Sequence, residues 1–165
     1  MVQWPPPVYR MRATFNAPLA FVYRWCIDYR SDDARRAGEH YDRRVIERSS
    51  RRVVVEDLWW EPDGWRWRRS EVTPRPPDRW TVHSFGNVRD AHIEYRLTEL
   101  PGDRTQLDIV MLRRPGVRQK RQPSKRKFER EVNGMWRNLS RSLDSDYRIV
   151  GARARRRPRR QRTAA

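Results

Sequence analysis

SKRKFEREVNGMWRNLSRSLDSDY, residues 124–147, is the stretch whose reading decides the fold. Phe128, Val132, Met135, Trp136, Leu139, Leu143 and Tyr147 recur in it at steps of three and four. That spacing predicts one amphipathic helix of about six turns with a single apolar face. A helix of this length and one-sidedness needs a broad apolar surface to pack against. The segments that precede it supply such a surface.

Working back along the chain, Thr105, Leu107, Ile109 and Met111 alternate with Gln106, Asp108 and Val110. Ala91, Ile93, Tyr95 and Leu97 alternate in the same way with His92, Glu94 and Arg96. A period of two marks a strand with one buried face. Pro101-Gly102-Asp103 between them is a turn signal. Arg79 to Phe85 is a further strand, with Trp80 and Val82, and Gly86-Asn87 turns the chain after it. Trp65 to Pro74 alternates Trp65 and Trp67 against Arg66 and Arg68, and residues 74–78 read as a loop. Arg52 to Glu61 and the weaker Tyr41 to Ser49 complete the series. Strands joined by short turns form an antiparallel meander.

At the other end, Tyr9, Met11, Ala13 and Phe15 form an alternating strand. Asn16 is placed to cap a helix, with Pro18 in its first turn, and the helical pattern runs to about Tyr29. A second short helix is expected within Asp28 to Gly38. The expected fold is α+β: a curved antiparallel sheet wrapped around the long C-terminal helix, with two short helices after the first strand. Residues 1–7 read as a stiff lead-in, 8–150 as the domain, and 151–165 as a basic, disordered tail.

The charge distribution restricts the partners. The chain carries +17, yet residues 1–112 hold 19 Lys and Arg against 17 acidic residues. The excess therefore sits in the last third. This confines polyanion affinity to Arg118, Lys120, Arg121, Lys125, Arg126, Lys127, Arg155, Arg156 and Arg157. Contact with nucleic acid or an anionic surface would be weak and non-specific, because no aromatic is interleaved for base stacking. The single cysteine, Cys26, fits a buried apolar position and a reducing, cytoplasmic setting. The start shows no basic, apolar leader, and no run is long enough to cross a membrane.

Candidate ligand-binding residues come from the aromatic-rich strands and the last helix. Trp59, Trp65, Trp67, Trp80 and Trp136 can fill the core or line a pocket; Trp25 belongs to the same group. Asp57 lies on an otherwise apolar strand and must be ion-paired or functionally tuned. Tyr95 can orient a ligand carbonyl or simply pack. Gly134, in mid-helix, can leave room for a ligand or allow close packing on the sheet. His83 and His92 are possible cross-strand neighbours, but the three histidines lack metal-ligand spacing. No cofactor is expected, no phosphate loop or nucleophile elbow is present, and no catalytic residue is singled out.

The stretch Phe15-Asn16-Ala17-Pro18 with Val22 and Asp28, the run Pro76-Pro77-Asp78-Arg79-Trp80, the turn and strand from Gly102 to Leu107, and the helix around Trp136, Leu139 and Leu143 together carry a resemblance. Over about residues 8–148 the chain resembles the START-like, helix-grip superfamily (SRPBCC; START/Bet v1-like), which includes polyketide cyclase/dehydrase-like and lipid-transfer proteins. The resemblance implies a deep pocket between sheet and C-terminal helix that holds an apolar or aromatic ligand. The basic loop before that helix and the Arg-rich tail depart from the family pattern. The expected function is binding of a hydrophobic or aromatic small molecule, lipid- or polyketide-like. Polyketide cyclase/dehydrase-type catalysis in the same pocket and polyanion binding through the basic third are the alternatives.

Overall fold

The alternating segments become strands, and their tight turns make each pair with the next. The computed structural model describes residues 8–115 and 124–156. The strands are β1 (Val8–Phe15), β2 (Asp42–Arg48), β3 (Val53–Glu61), β4 (Gly64–Arg75), β5 (Arg79–Gly86), β6 (Arg89–Leu100) and β7 (Arg104–Pro115). They form one antiparallel sheet in the order β1-β7-β6-β5-β4-β3-β2. The short helices α1 (Leu19–Cys26) and α2 (Asp33–Ala37) connect the two edge strands, and α3 (Lys125–Arg156) follows the sheet. The order of elements is the one expected, and the fold is the helix-grip arrangement.

Local chemistry explains most boundaries. Gly38 adopts φ +74° at the end of α2, a left-handed conformation that glycine takes without a Cβ penalty. Gly86 is required for a different reason: a Cβ there would lie 2.1 Å from the Trp67 carbonyl oxygen. β4 extends to Arg75, one residue past the expected start of the loop. α3 continues through Arg156, past Gly151, where the tail was expected to begin. Asn16 does not cap α1, whose N-cap position is Pro18. Its backbone and side-chain N–H groups instead donate to the two Asp144 carboxylate oxygens, at 2.9 and 2.8 Å.

That contact belongs to a seam. β1 is an edge strand, and its outward backbone groups need partners. The α3 side chains provide them. Glu129 Oε1 accepts from Arg10 N at 3.0 Å, Asn133 Oδ1 from Arg12 N at 3.4 Å, and Ser140 Oγ donates to the Thr14 carbonyl at 2.6 Å. Glu129, Asn133, Ser140 and Asp144 share one helical stripe, beside the apolar one. The helix thus covers the sheet with one stripe and closes its β1 edge with the other.

The core lies on the concave face. Tyr9, Met11 and Phe15 of β1, Leu107 and Ile109 of β7, and Ile93 and Leu97 of β6 are buried there together with Phe128, Trp136 and Leu143 of α3. Tyr9 packs on Phe128 with ring centroids 4.5 Å apart, and Phe15 meets Trp136 edge-on at 6.3 Å.

Candidate functional site

The seven strands curve away from α3 beyond this core, and the helix fills only part of the concavity. A cavity of about 410 Å³ remains between them. Met135, Trp136 and Leu139 of α3 form one wall, and Ile93, Ile109 and Met111 line the sheet side. Trp25, Tyr29 and Tyr41 close it from the side of the short helices and β2, and Trp59 stands on β3. This volume and lining suit a small apolar ligand.

The polar and charged groups of the lining are mostly engaged or exposed. Ser70 of β4 and Ser84 of β5 are cross-strand partners, and their hydroxyls lie 3.2 Å apart. Arg43 of β2 donates from Nε to Asp57 Oδ1 at 2.7 Å, from Nη2 to Asp57 Oδ2 at 3.0 Å and from Nη1 to Asp33 Oδ2 at 2.7 Å. Arg68 of β4 donates to Asp57 Oδ2 from Nε at 2.9 Å and also from Nη2. Asp57 is thus clamped by two guanidiniums behind the cavity wall. Burial disfavours its ionised form, but the bonds and charges of Arg43 and Arg68 outweigh this and hold its carboxyl below the usual range. Arg89 at the start of β6 also lines the cavity.

Two lining phenols and the lining thiol stay protonated. Burial raises the Tyr95 phenol to about 12 against the lowering influence of Arg89 and Arg68. Burial likewise raises Tyr29 and pushes the Cys26 thiol up, reinforced for Cys26 by the charge of Asp33. A thiol in this setting is a poor nucleophile.

The expected site residues divide into three groups. Trp59, Tyr95 and Trp136 line the cavity. Trp80 is fully buried behind it: its ring stacks on Tyr95 at 4.7 Å, with an interplanar angle of 4°. Trp65 and Trp67 lie on the opposite, convex face and are about half exposed, at 54% and 44%. Trp65 meets Trp60 edge-on there, and Trp67 meets Phe85. Gly134 neither lines the cavity nor touches the sheet: a Cβ there would meet only the Arg137 guanidinium, at 3.6 Å. His83 and His92 are directly opposed on β5 and β6, on the convex face, with His83 3.1 Å from Asp90. No group of metal ligands forms among the described residues. Lys125, Arg126 and Lys127 are exposed in the first turn of α3. Arg155 and Arg156 end that helix, and Arg118, Lys120, Arg121 and Arg157 lie outside the described residues.

The inversion of Trp65 and Trp67 has a clear cause. Alternation in β4 defines two faces without saying which is inner. Register decides it: Asp57 opposes Arg68 and Leu58 opposes Trp67. Buried Asp57 brings Arg68 to the concave face, and the tryptophans go to the other. One signal was available in the sequence. Ser70 and Val72 share the phase of Arg66 and Arg68, and Val72 is the large aliphatic residue that the core takes. The cavity-lining roles of Arg43, Arg68 and Arg89 had no local signal in a chain with arginines on nearly every strand.

No family model matches the sequence, and no curated protein matches it. Solved structures do. The Zhui aromatase/cyclase from a Streptomyces species superposes with a TM-score of 0.68 over 88% of this chain and 98% of its own, at 13% identity. The TTHA0849 protein from Thermus thermophilus gives a TM-score of 0.67 at 12% identity, covering 85% of this chain and 99% of its own. A START superfamily protein from Mycobacterium smegmatis gives 0.61 at 9% identity, covering 87% and 98%. At these identities the likeness is one of backbone, and no helix of the described residues is long and apolar enough to cross a membrane. A curved seven-stranded sheet gripping a long C-terminal helix, shared with an aromatase/cyclase and a START protein, is the START-like, polyketide-cyclase-like fold, and this chain has it.

Proposed function

We propose that the chain binds a hydrophobic or aromatic small molecule in the cavity between the concave face and α3. The observation that carries this reading is the cavity itself: about 410 Å³ walled mainly by aromatic and aliphatic side chains, with a few fixed polar groups. The lining favours binding over turnover. Tyr95 and Tyr29 hold their protons, Cys26 is a neutral thiol, and Asp57 is committed to two arginines. A cyclase-type reaction would need a group that exchanges a proton near neutral pH, and beyond these the lining offers His40, Glu39 and Glu131, all exposed. Polyanion contact through Lys125, Arg126 and Lys127 is a weaker reading, since Lys125 and Lys127 lie 3.9 and 4.0 Å from Glu129 and Glu131 of their own helix.

Native mass spectrometry of freshly purified, salt-washed protein is expected to show an added small-molecule mass that is lost on denaturation. Independently, the neutral fluorophore anthracenemethanol is expected to bind the stripped protein. Ile93→Trp, which fills the cavity from its floor, abolishes that binding and costs about 1–3 kcal/mol of stability from overpacking. A folded Ile93→Trp protein that still binds the probe would place the ligand elsewhere. Trp67→Ala, on the convex face, leaves probe binding unchanged in the same titration, whereas Trp59→Ala weakens it.

A further inference from the structure

Arg89 differs from the other arginines of the concave face. Arg43 and Arg68 share Asp57, and Arg43 also holds Asp33. Arg66 is paired with Glu61 and Asp63. Arg89 has no hydrogen bond or ion pair with any described residue, and its Nε is buried without a partner. Alternation along β6 puts it on the same face as Ala91, Ile93 and Tyr95, and its side chain lines the cavity.

Its surroundings make this costly. The charges that act on it most strongly, Arg68 and Arg113, are of the same sign; Tyr95 and Asp57 oppose them more weakly, and Asp57 is already engaged by two other guanidiniums. Burial first, and then these two arginines, depress its pKa to about 9. Of the acidic lining residues, Asp33 and Glu61 are paired, Glu131 lies near Lys127, and Glu39 is exposed. Arg89 is half-buried with its Nε enclosed, and a cation withdrawn from water in this way without a counter-ion is costly. A guanidinium is also the side chain best shaped to bind a carboxylate through two parallel N–H bonds.

We propose that the ligand of this cavity is a hydrophobic carboxylic acid, whose carboxylate is held by Arg89 while its apolar body lies against Tyr95, Trp136 and Ile93. The inference rests on the reading of the cavity as a ligand site and adds the chemical class of the ligand. One negative charge on the ligand supplies the counter-ion that the described residues do not provide. Ser84 opposes Ala91, two residues along the same face from Arg89, and places a hydroxyl on the strand next to the anchor.

The test compares anthracenecarboxylate with neutral anthracenemethanol by fluorescence titration at fixed moderate salt. Wild type, Arg89→Met, Arg89→Lys and the exposed control Arg24→Gln are the proteins used. Wild type is expected to bind the carboxylate at least about tenfold more tightly than the alcohol, the scale of a charged hydrogen-bonded contact. Arg89→Met loses that preference while keeping its affinity for the alcohol, Arg89→Lys retains part of it, and Arg24→Gln retains all of it. Without ligand, Arg89→Met melts higher than wild type, because an unpaired, partly desolvated charge has gone. Equal binding of both probes by wild type, unaffected by Arg89→Met, would overturn the inference and leave the cavity reading intact. An equal loss at Arg24→Gln would assign the preference to the protein's overall charge and overturn it too. Loss of both probes with a lowered melting temperature in Arg89→Met would make Arg89 a structural residue. Failure of both probes to bind wild type would remove the cavity reading, and the inference with it.

Discussion

Asp57→Ala is expected to lower stability by about 3–5 kcal/mol, because it leaves two buried guanidiniums without their shared counter-ion. The Asp57 side chain is wholly buried, and Arg43 and Arg68 reach it from the flanking strands β2 and β4. For a chain of this size the melting temperature should fall by about 6–20 °C. Arg43 keeps Asp33, so Arg68 bears most of the loss. Asp57→Ala combined with Arg68→Met should therefore recover a substantial part of it in a double-mutant cycle. Denaturant unfolding measures all three variants; a loss below about 1 kcal/mol for Asp57→Ala would mean that the clamp does not hold the strands together.

The same group gives a signed pH dependence. Its folded-state pKa lies below the unfolded value, so the unfolded chain takes up the proton first as the solution is acidified. The contribution of Asp57 is fully present above the ordinary carboxylate range and is lost as pH falls through that range toward the lowered folded value. Asp57→Asn cannot titrate and lacks this component. The stability difference between wild type and Asp57→Asn should shrink on acidification across that window, whatever the other carboxylates contribute to both proteins.

Trp80→Ala is the second large effect, expected at about 3–5 kcal/mol for truncating a fully buried aromatic. Trp80 is 1% exposed, stacks on Tyr95 and meets Tyr23 edge-on at 6.1 Å. It does not line the cavity, yet it backs Tyr95, which does. The substitution should weaken probe binding as well as stability, through a displaced Tyr95 ring. Trp80→Phe keeps a stacked ring and should lose less than half as much in both measurements. Wild-type binding in a destabilised Trp80→Ala protein would show that Tyr95 is positioned by something other than this stack.

The elements, their order and their type were legible in the sequence because each follows from local periodicity. Tyr9, Met11, Ala13 and Phe15 repeat every two residues, and the stripe from Phe128 to Tyr147 repeats every three and four. Such patterns depend only on which side of one segment meets water. What needed the tertiary structure was every question about which segment lies opposite which. The phase of β4 turned on its register with β3, and that register exchanged the expected roles of Trp67 and Arg68. Asn16 forgoes a local cap for Asp144, 128 positions away, because an edge strand had to be closed. Arg89 is one arginine among many in the sequence. Its lack of a partner among the described residues exists only once the strands around it are assembled and Asp57 is already taken. Periodicity is a property of a segment and survives in the sequence, whereas pairing and desolvation are properties of residues brought together from across the chain, and they arise when the sheet closes on its helix.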